Sequence, residues 1–276
     1  MGVAESSEPD LQIRTYFVRG RNALLARGDF GTLYVEYYLH LAEHHLQHAS
    51  RHDRMLKEAL AAVALHCASR PWNESVAWTL HFEDPLLNLF VAGDNPSGGL
   101  IGHCLTENVK ELRLNLFYAQ VVRGQEPMRQ SHVAFNSTSP FEATEAFYQQ
   151  SEQRPARFFA LDEEDFVFIS AQPDCDTAWL QALTVEQVKK LDRHEELRLL
   201  ETRTFQWKCG CSQEKILGML APAMRADPEG LFDGGESIRV GCPRCGARYT
   251  ITREALEAQL AEERARRAAP GETGAA

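Results

Sequence analysis

The sequence predicts an α+β fold: an N-terminal antiparallel sheet with helices, a helical linker, and a small C-terminal four-cysteine module. Three observations predict it. Alanine-rich text with apolar residues at spacings of three and four, clearest over Leu56–Leu65, reads as helix. Apolar residues then alternate at Val76, Trp78, Leu80 and Phe82, and again at Leu87, Leu89 and Val91, the pattern of neighbouring half-buried strands. Finally, Cys209, Cys211, Cys242 and Cys245 form two close pairs near the C-terminus.

The elements follow in order. Helical text runs from Asn22 to Arg70 and is ended by Pro71. Asp84-Pro85 turns the chain between the first two strands, and the glycines and proline of Gly93–Gly99 form a loop. Leu112, Leu114 and Leu116 alternate again, strand-like text continues to Val122, and Val133 and Phe135 follow a turn. Ser139-Pro140-Phe141-Glu142 is a helix start with a capping box, predicting a helix to about Gln150. Phe158–Leu161 and Phe166–Ile169 read as strands joined by the acidic turn Asp162–Asp165. Thr184–Thr204 is rich in charge, with a thin stripe of Val188, Leu191 and Leu199. It reads as a marginal helix, opened by a Thr184/Gln187 capping box, that depends on docking for its stability. The expected organisation is a core domain over 10–178, a metastable helical linker over 179–206, a cysteine module over 207–260 and a tail over 261–276.

The chain has 276 residues, 44% apolar and 25% charged, an ordinary globular composition long enough to bury a core without disulfides. No apolar run reaches the roughly 18–20 residues of a membrane span. Met1–Asp10, with Glu5, Glu8 and Asp10, lacks the features of a secretory signal, so a reducing cytoplasm is expected. The net charge of −10, with no basic patch, argues against nucleic acid and anionic membrane as partners.

In such a compartment two thiol clips predict a metal rather than disulfides, and zinc prefers tetrahedral thiolate coordination. Cys209, Cys211, Cys242 and Cys245 are therefore the expected ligands of one structural Zn2+ per chain in the reduced state, with no open position for catalysis. Pro243 restricts the second clip, and Gly246 lets the backbone approach the sulfurs.

The first clip is unusual, because a single glycine separates its cysteines. With its flanks, Trp207-Lys-Cys-Gly-Cys-Ser-Gln-Glu214 and Gly241-Cys-Pro-Arg-Cys-Gly-Ala-Arg-Tyr249, the pattern resembles the zinc domain of the heat shock protein 33 family of redox-regulated holdase chaperones. Ser151-Glu-Gln-Arg-Pro155 resembles that family's Ser-Glu-Gln segment, and Val18-Arg-Gly20 its early helix; Phe82-Glu-Asp-Pro85 stands where the family has a glycine-rich turn, so the core domain is divergent. The resemblance implies an ATP-independent stress chaperone whose partners are unfolding client proteins, which is not an enzyme, and which forms a homodimer when oxidised. It also implies disulfides of Cys209 with Cys211 and Cys242 with Cys245 on oxidation. Physical chemistry supports such a switch. Zinc-bound thiolate stays nucleophilic, a disulfide does not hold zinc, and zinc contributes about 10–16 kcal/mol to small modules. Its loss should unfold the module, and a docked linker can follow.

Other features carry simpler readings. His40, His44, His48 and His52, with His45 beside them, recur on one expected helix and read as a solvated face rather than a metal site. Cys67 and Cys104 read as buried small hydrophobes, and the carboxylates flanking Cys175 disfavour its thiolate. Arg264, Arg266 and Arg267 are balanced by Glu262 and Glu263, and Trp72, Trp78, Phe82 and Phe90 read as core aromatics. Two other function classes remain open. A zinc-ribbon-like nucleic-acid or translation-associated module would want basic residues around the clips, yet Arg239, Arg244 and Arg248 face Asp227, Glu229, Asp233 and Glu236. An oxidoreductase would want a Cys-x-x-Cys at a helix start.

Overall fold

A computed structural model describes residues 10–268, so expectations placed on Met1–Pro9 and on 269–276, and on the side chains of Glu263, Arg266 and Arg267, lie outside the described residues. The chain divides into two units, Met1–Cys209 and Gly210–Ala276. The first contains β1 (Leu11–Val18), β2 (Ala23–Asp29), α1 (Gly31–Glu43), α2 (Ser50–Ala68), β3 (Glu74–Glu83), β4 (Leu86–Asp94), β5 (Gly99–Leu105), β6 (Asn115–Arg123) and β7 (Arg129–Phe135). It continues with α3 (Pro140–Gln150), β8 (Ala156–Ala160), β9 (Asp165–Ala171), α4 (Thr177–Ala182), α5 (Val185–Val188), α6 (Leu191–His194) and β10 (Leu197–Trp207). The second contains α7 (Gln213–Ala226), α8 (Pro228–Phe232), β11 (Ser237–Gly241), β12 (Arg248–Thr252) and α9 (Arg253–Ala268).

The first unit is a ten-stranded sheet in the order β7-β6-β3-β4-β5-β10-β1-β2-β9-β8. Every pairing is antiparallel except β10 with β5, which are parallel over Gln206–Gly99 and Trp207–Leu100. Helix α2 is apolar all round from Met55 to Ala68, with Lys57, Glu58 and the buried His66 the exceptions, and is accordingly buried against the sheet. Its small residues allow close approach. A Cβ on Gly93 of β4 would lie 2.5 Å from the Cys67 sulfur. Helix α3 starts at Ser139, whose hydroxyl accepts from the Glu142 amide at 3.5 Å; the Glu142 carboxylate takes the Ser137 hydroxyl instead of reaching back, so the expected box is half formed. Its Phe147 stacks on Phe117 at 4.8 Å, inside the core that also holds Trp78 and Phe82.

Strand β9 is buried on both faces, which explains its unbroken apolar run. Phe166 and Phe168 join the main core, while Val167 and Ile169 enter a second core with Val18, Leu25 and Phe159. That second core is closed by Leu180, Leu183, Val188 and Leu191 from α4, α5 and α6. These helices have six, four and four residues, far too short to stand alone in water. The Thr184/Gln187 capping box is present.

Several expectations are corrected. Asn22–Arg70 is not one helix: β2 occupies Ala23–Asp29, preceded by β1, and α1 and α2 are separate. Strand pairing overrides helical text here, because β1 lies between β2 and β10. Val18-Arg-Gly20 is no helix, since Val18 ends β1 and Gly20 turns the chain at φ +73°. The histidine series breaks with it: His40 is on α1, His44 caps its end, His45 and His48 lie in the connection, and His52 is on α2. The marginal helix over Thr184–Thr204 becomes α5 and α6 followed by β10, whose edges β1 and β5 both need a partner. Leu112 and Leu114 precede β6, the amides of Leu112 and Arg113 donating to the Glu83 carboxylate. Trp72 is exposed, its ring under the Arg203 guanidinium at 4.3 Å, and Phe90 is only half-buried. No helix among the described residues is long and apolar enough to cross a membrane.

Candidate metal centre

The approach to the first clip is fixed by β10. The Trp207 amide donates to the Glu36 carboxylate of α1 at 2.6 Å, and the Lys208 amide donates to the Leu100 carbonyl at 3.0 Å. Cys209 follows at once. Cys211 precedes Ser212, the N-cap of α7, whose hydroxyl accepts from the Lys215 amide at 3.3 Å. The first clip thus leads directly into a 14-residue helix. The Lys215 ammonium donates to the Gly210 carbonyl, holding the clip's middle residue.

The second clip is the loop of the β11–β12 hairpin. The Cys242 amide donates to the Ala247 carbonyl at 2.8 Å, and the Gly246 amide donates back to the Cys242 carbonyl at 2.9 Å. Gly246 has φ +75°, a left-handed conformation that a side chain would strain. Cys242 and Cys245 are buried, whereas Cys209 and Cys211 are half-exposed.

The four sulfurs lie within 4.8 Å of one another, with Cys211 and Cys245 3.6 Å apart. A tetrahedral metal with bonds of about 2.3 Å to sulfur separates its ligands by roughly 3.8 Å, so the set fits one thiophilic ion and leaves no position open. The group can hold a metal ion. The surrounding core of Ile216, Leu217, Ala221, Met224, Phe232, Ile251, Leu256 and Leu260 is small, the kind of core that small domains commonly supplement with a disulfide or a metal. Tyr249 on β12 donates its hydroxyl to the Cys211 sulfur at 3.2 Å. Burial, and then that sulfur, push its phenol well above the ordinary range, so it stays protonated as a donor. Tyr249, Lys215 and Ser212 carry no separate signal in the sequence; the spacing of Tyr249 after Cys245 is visible there, but its link to the other clip is a tertiary contact.

The remaining titratable clusters offer no competing centre. Burial raises Cys67 and lifts Cys104 to about 12, fitting inert buried thiols. Cys175 is raised first by burial, with the Asp176 charge adding to it. Among the described residues only the four cysteines form a metal-binding group; the histidines do not. A cleft of about 1010 Å³ in the first unit, bordered by Gln12, Arg14, Tyr16, Arg27, Thr32 and Val35, mixes polar and apolar surface, with Arg27 paired to Asp165 at 2.6 Å.

Comparison with known proteins bears on this centre. The family model for Hsp33 protein matches residues 161–252. The 33 kDa chaperonin of Lactobacillus delbrueckii subsp. bulgaricus is 29% identical over 92 residues, covering 33% of this chain and only 31% of that relative's length. The 33 kDa chaperonin of Nitrosococcus oceani is 26% identical over 243 residues, covering 75% of this chain and 81% of the relative. The crystal structure of the 33 kDa chaperonin from Thermotoga maritima matches with a TM-score of 0.70 at 16% identity, over 93% of this chain and 99% of that one, a likeness of fold.

Proposed function

With its place in the heat shock protein 33 family as the premise, we propose that this chain is a redox-regulated, ATP-independent holdase of the cytoplasm. The observation that carries the proposal is the closed set of four sulfurs, two of them half-exposed and three of them in a unit with little core of its own. The ion is Zn2+, one per chain, held by Cys209, Cys211, Cys242 and Cys245; when bound it supplies folding energy and keeps the four thiolates together. Oxidation joins Cys209 to Cys211 and Cys242 to Cys245. The sulfurs then lose the charge that holds the metal, and the module unfolds.

The segment between the core domain and the module follows. Its part most ready to leave is α4–α6, whose helices are stable only where Leu180, Leu183, Val188 and Leu191 dock. Their departure bares Val18, Leu25, Phe159, Val167 and Ile169, an apolar surface to which unfolding proteins bind. The partners are such proteins, not nucleic acid or membrane, and the oxidised form is a homodimer. No reaction is catalysed.

Zinc release followed with a chromogenic chelator, alongside aggregation of a thermally unfolding client, tests this. Peroxide at mildly elevated temperature is expected to release about one zinc per chain and to switch on protection that dithiothreitol reverses. Zinc retained under peroxide with no protection gained would overturn it and leave a structural metal.

A further inference from the structure

We infer that Tyr249 is a positioning residue for the metal centre, its hydroxyl holding the Cys211 sulfur and damping that sulfur's attack on oxidants. The argument rests on the reading of the four cysteines as a metal-thiolate switch. Tyr249 belongs to the second clip's hairpin, where β12 pairs it opposite Val240 and its ring packs on the core of the module. Its hydroxyl nevertheless reaches across to the first clip, 3.2 Å from the Cys211 sulfur. It therefore ties together two clips that are far apart in sequence. A hydrogen bond to a thiolate draws on a sulfur lone pair and lowers its nucleophilicity, and such outer contacts tune both metal affinity and reactivity.

The reaction being damped is oxidation by hydrogen peroxide. The Cys211 thiolate attacks a peroxide oxygen, the O–O bond breaks, and sulfenic acid forms as the departing oxygen takes a proton and leaves as water. A neighbouring thiol then displaces the sulfenic oxygen as a second water, so two thiols lose two electrons to one peroxide. The Tyr249 hydroxyl competes for the lone pair used in the first step.

The test uses the full reduced chain loaded with Co2+, whose thiolate-to-metal charge-transfer bands report electron density on sulfur, and loaded with Zn2+ for release rates. In Tyr249→Phe the bands are expected to move to lower energy, and peroxide is expected to release the metal roughly threefold to tenfold faster, in line with the loss of one hydrogen bond. Identical bands and rates in the variant and the parent would overturn the inference, leaving the ring a packing group only. Should Tyr249→Phe fail to fold, 3-fluorotyrosine at position 249 keeps the ring and strengthens the donor; it must move the bands to higher energy, and no movement refutes the role. A parent chain that keeps Zn2+ under peroxide refutes the switch, whereas the Co2+ bands still decide the hydrogen bond.

Discussion

Replacing Phe205 with alanine tests whether β10 is part of the core rather than a detachable linker helix. Phe205 is 1% exposed and lies in the main core of the first unit, whereas Leu199 on the same strand is 53% exposed. Emptying a buried phenylalanine costs about 3–5 kcal/mol, a large share of the roughly 5–15 kcal/mol that holds a domain. For a unit of this size that lowers the melting temperature by on the order of 10 °C, while Leu199→Ala shifts it by at most about 1–2 °C. The assay is thermal unfolding followed by circular dichroism on the reduced chain with zinc in excess. A Phe205→Ala shift no larger than that of Leu199→Ala would refute the placement of β10. Under the proposed function the same variant should also protect clients without oxidant, because the segment that carries α4–α6 loses its anchor.

Two further outcomes are expected. His66 is wholly buried, its Nδ1 2.6 Å from the Tyr148 hydroxyl, and burial, then Arg70 and Arg154, hold its pKa well below the ordinary 6.5. The unfolded chain therefore takes the proton first, so stability is full above about pH 6.5 and falls by up to about 1.4 kcal/mol per pH unit toward the folded-state pKa. Urea midpoints between pH 7.5 and 5.5 should show a steeper decline for the parent than for His66→Gln, and equal declines would contradict this. Gly246→Ala forces a side chain onto φ +75°, a strain of roughly 1–2 kcal/mol, and should weaken zinc binding about tenfold in chelator competition. Unchanged affinity would mean that the loop relaxes freely.

What the sequence reveals here depends on whether a signal is local. Strands β3 and β4, α3, the Thr184/Gln187 box and the two clips are written in contiguous text, and each is found. Leu11, Ile13 and Thr15 of β1 alternate as well, but a short polar strand is specified by its neighbours β2 and β10, which the text does not bring together. Thr184–Thr204 is misleading for the same reason: Arg203 and Phe205 are buried by position in the sheet, and the Arg203 guanidinium donates to the Cys67 carbonyl across 136 residues. At the candidate centre the four cysteines that come together are legible from their spacing. Tyr249 is not, because its partner is on the other clip.

The order of strands has a consequence for how the chain is made. The groups β7-β6-β3-β4-β5 and β1-β2-β9-β8 are hydrogen-bonded into one sheet only through β10, the last strand of the sheet to be synthesised. Until residue 207 leaves the ribosome, the nascent unit holds two half-sheets with β5 and β1 as open edges, each a template for wrong pairing. Completion of the sheet is thus timed to the arrival of the text that leads straight into Cys209, so a truncated chain ending before Leu197 should aggregate even though every helix of its main core is present.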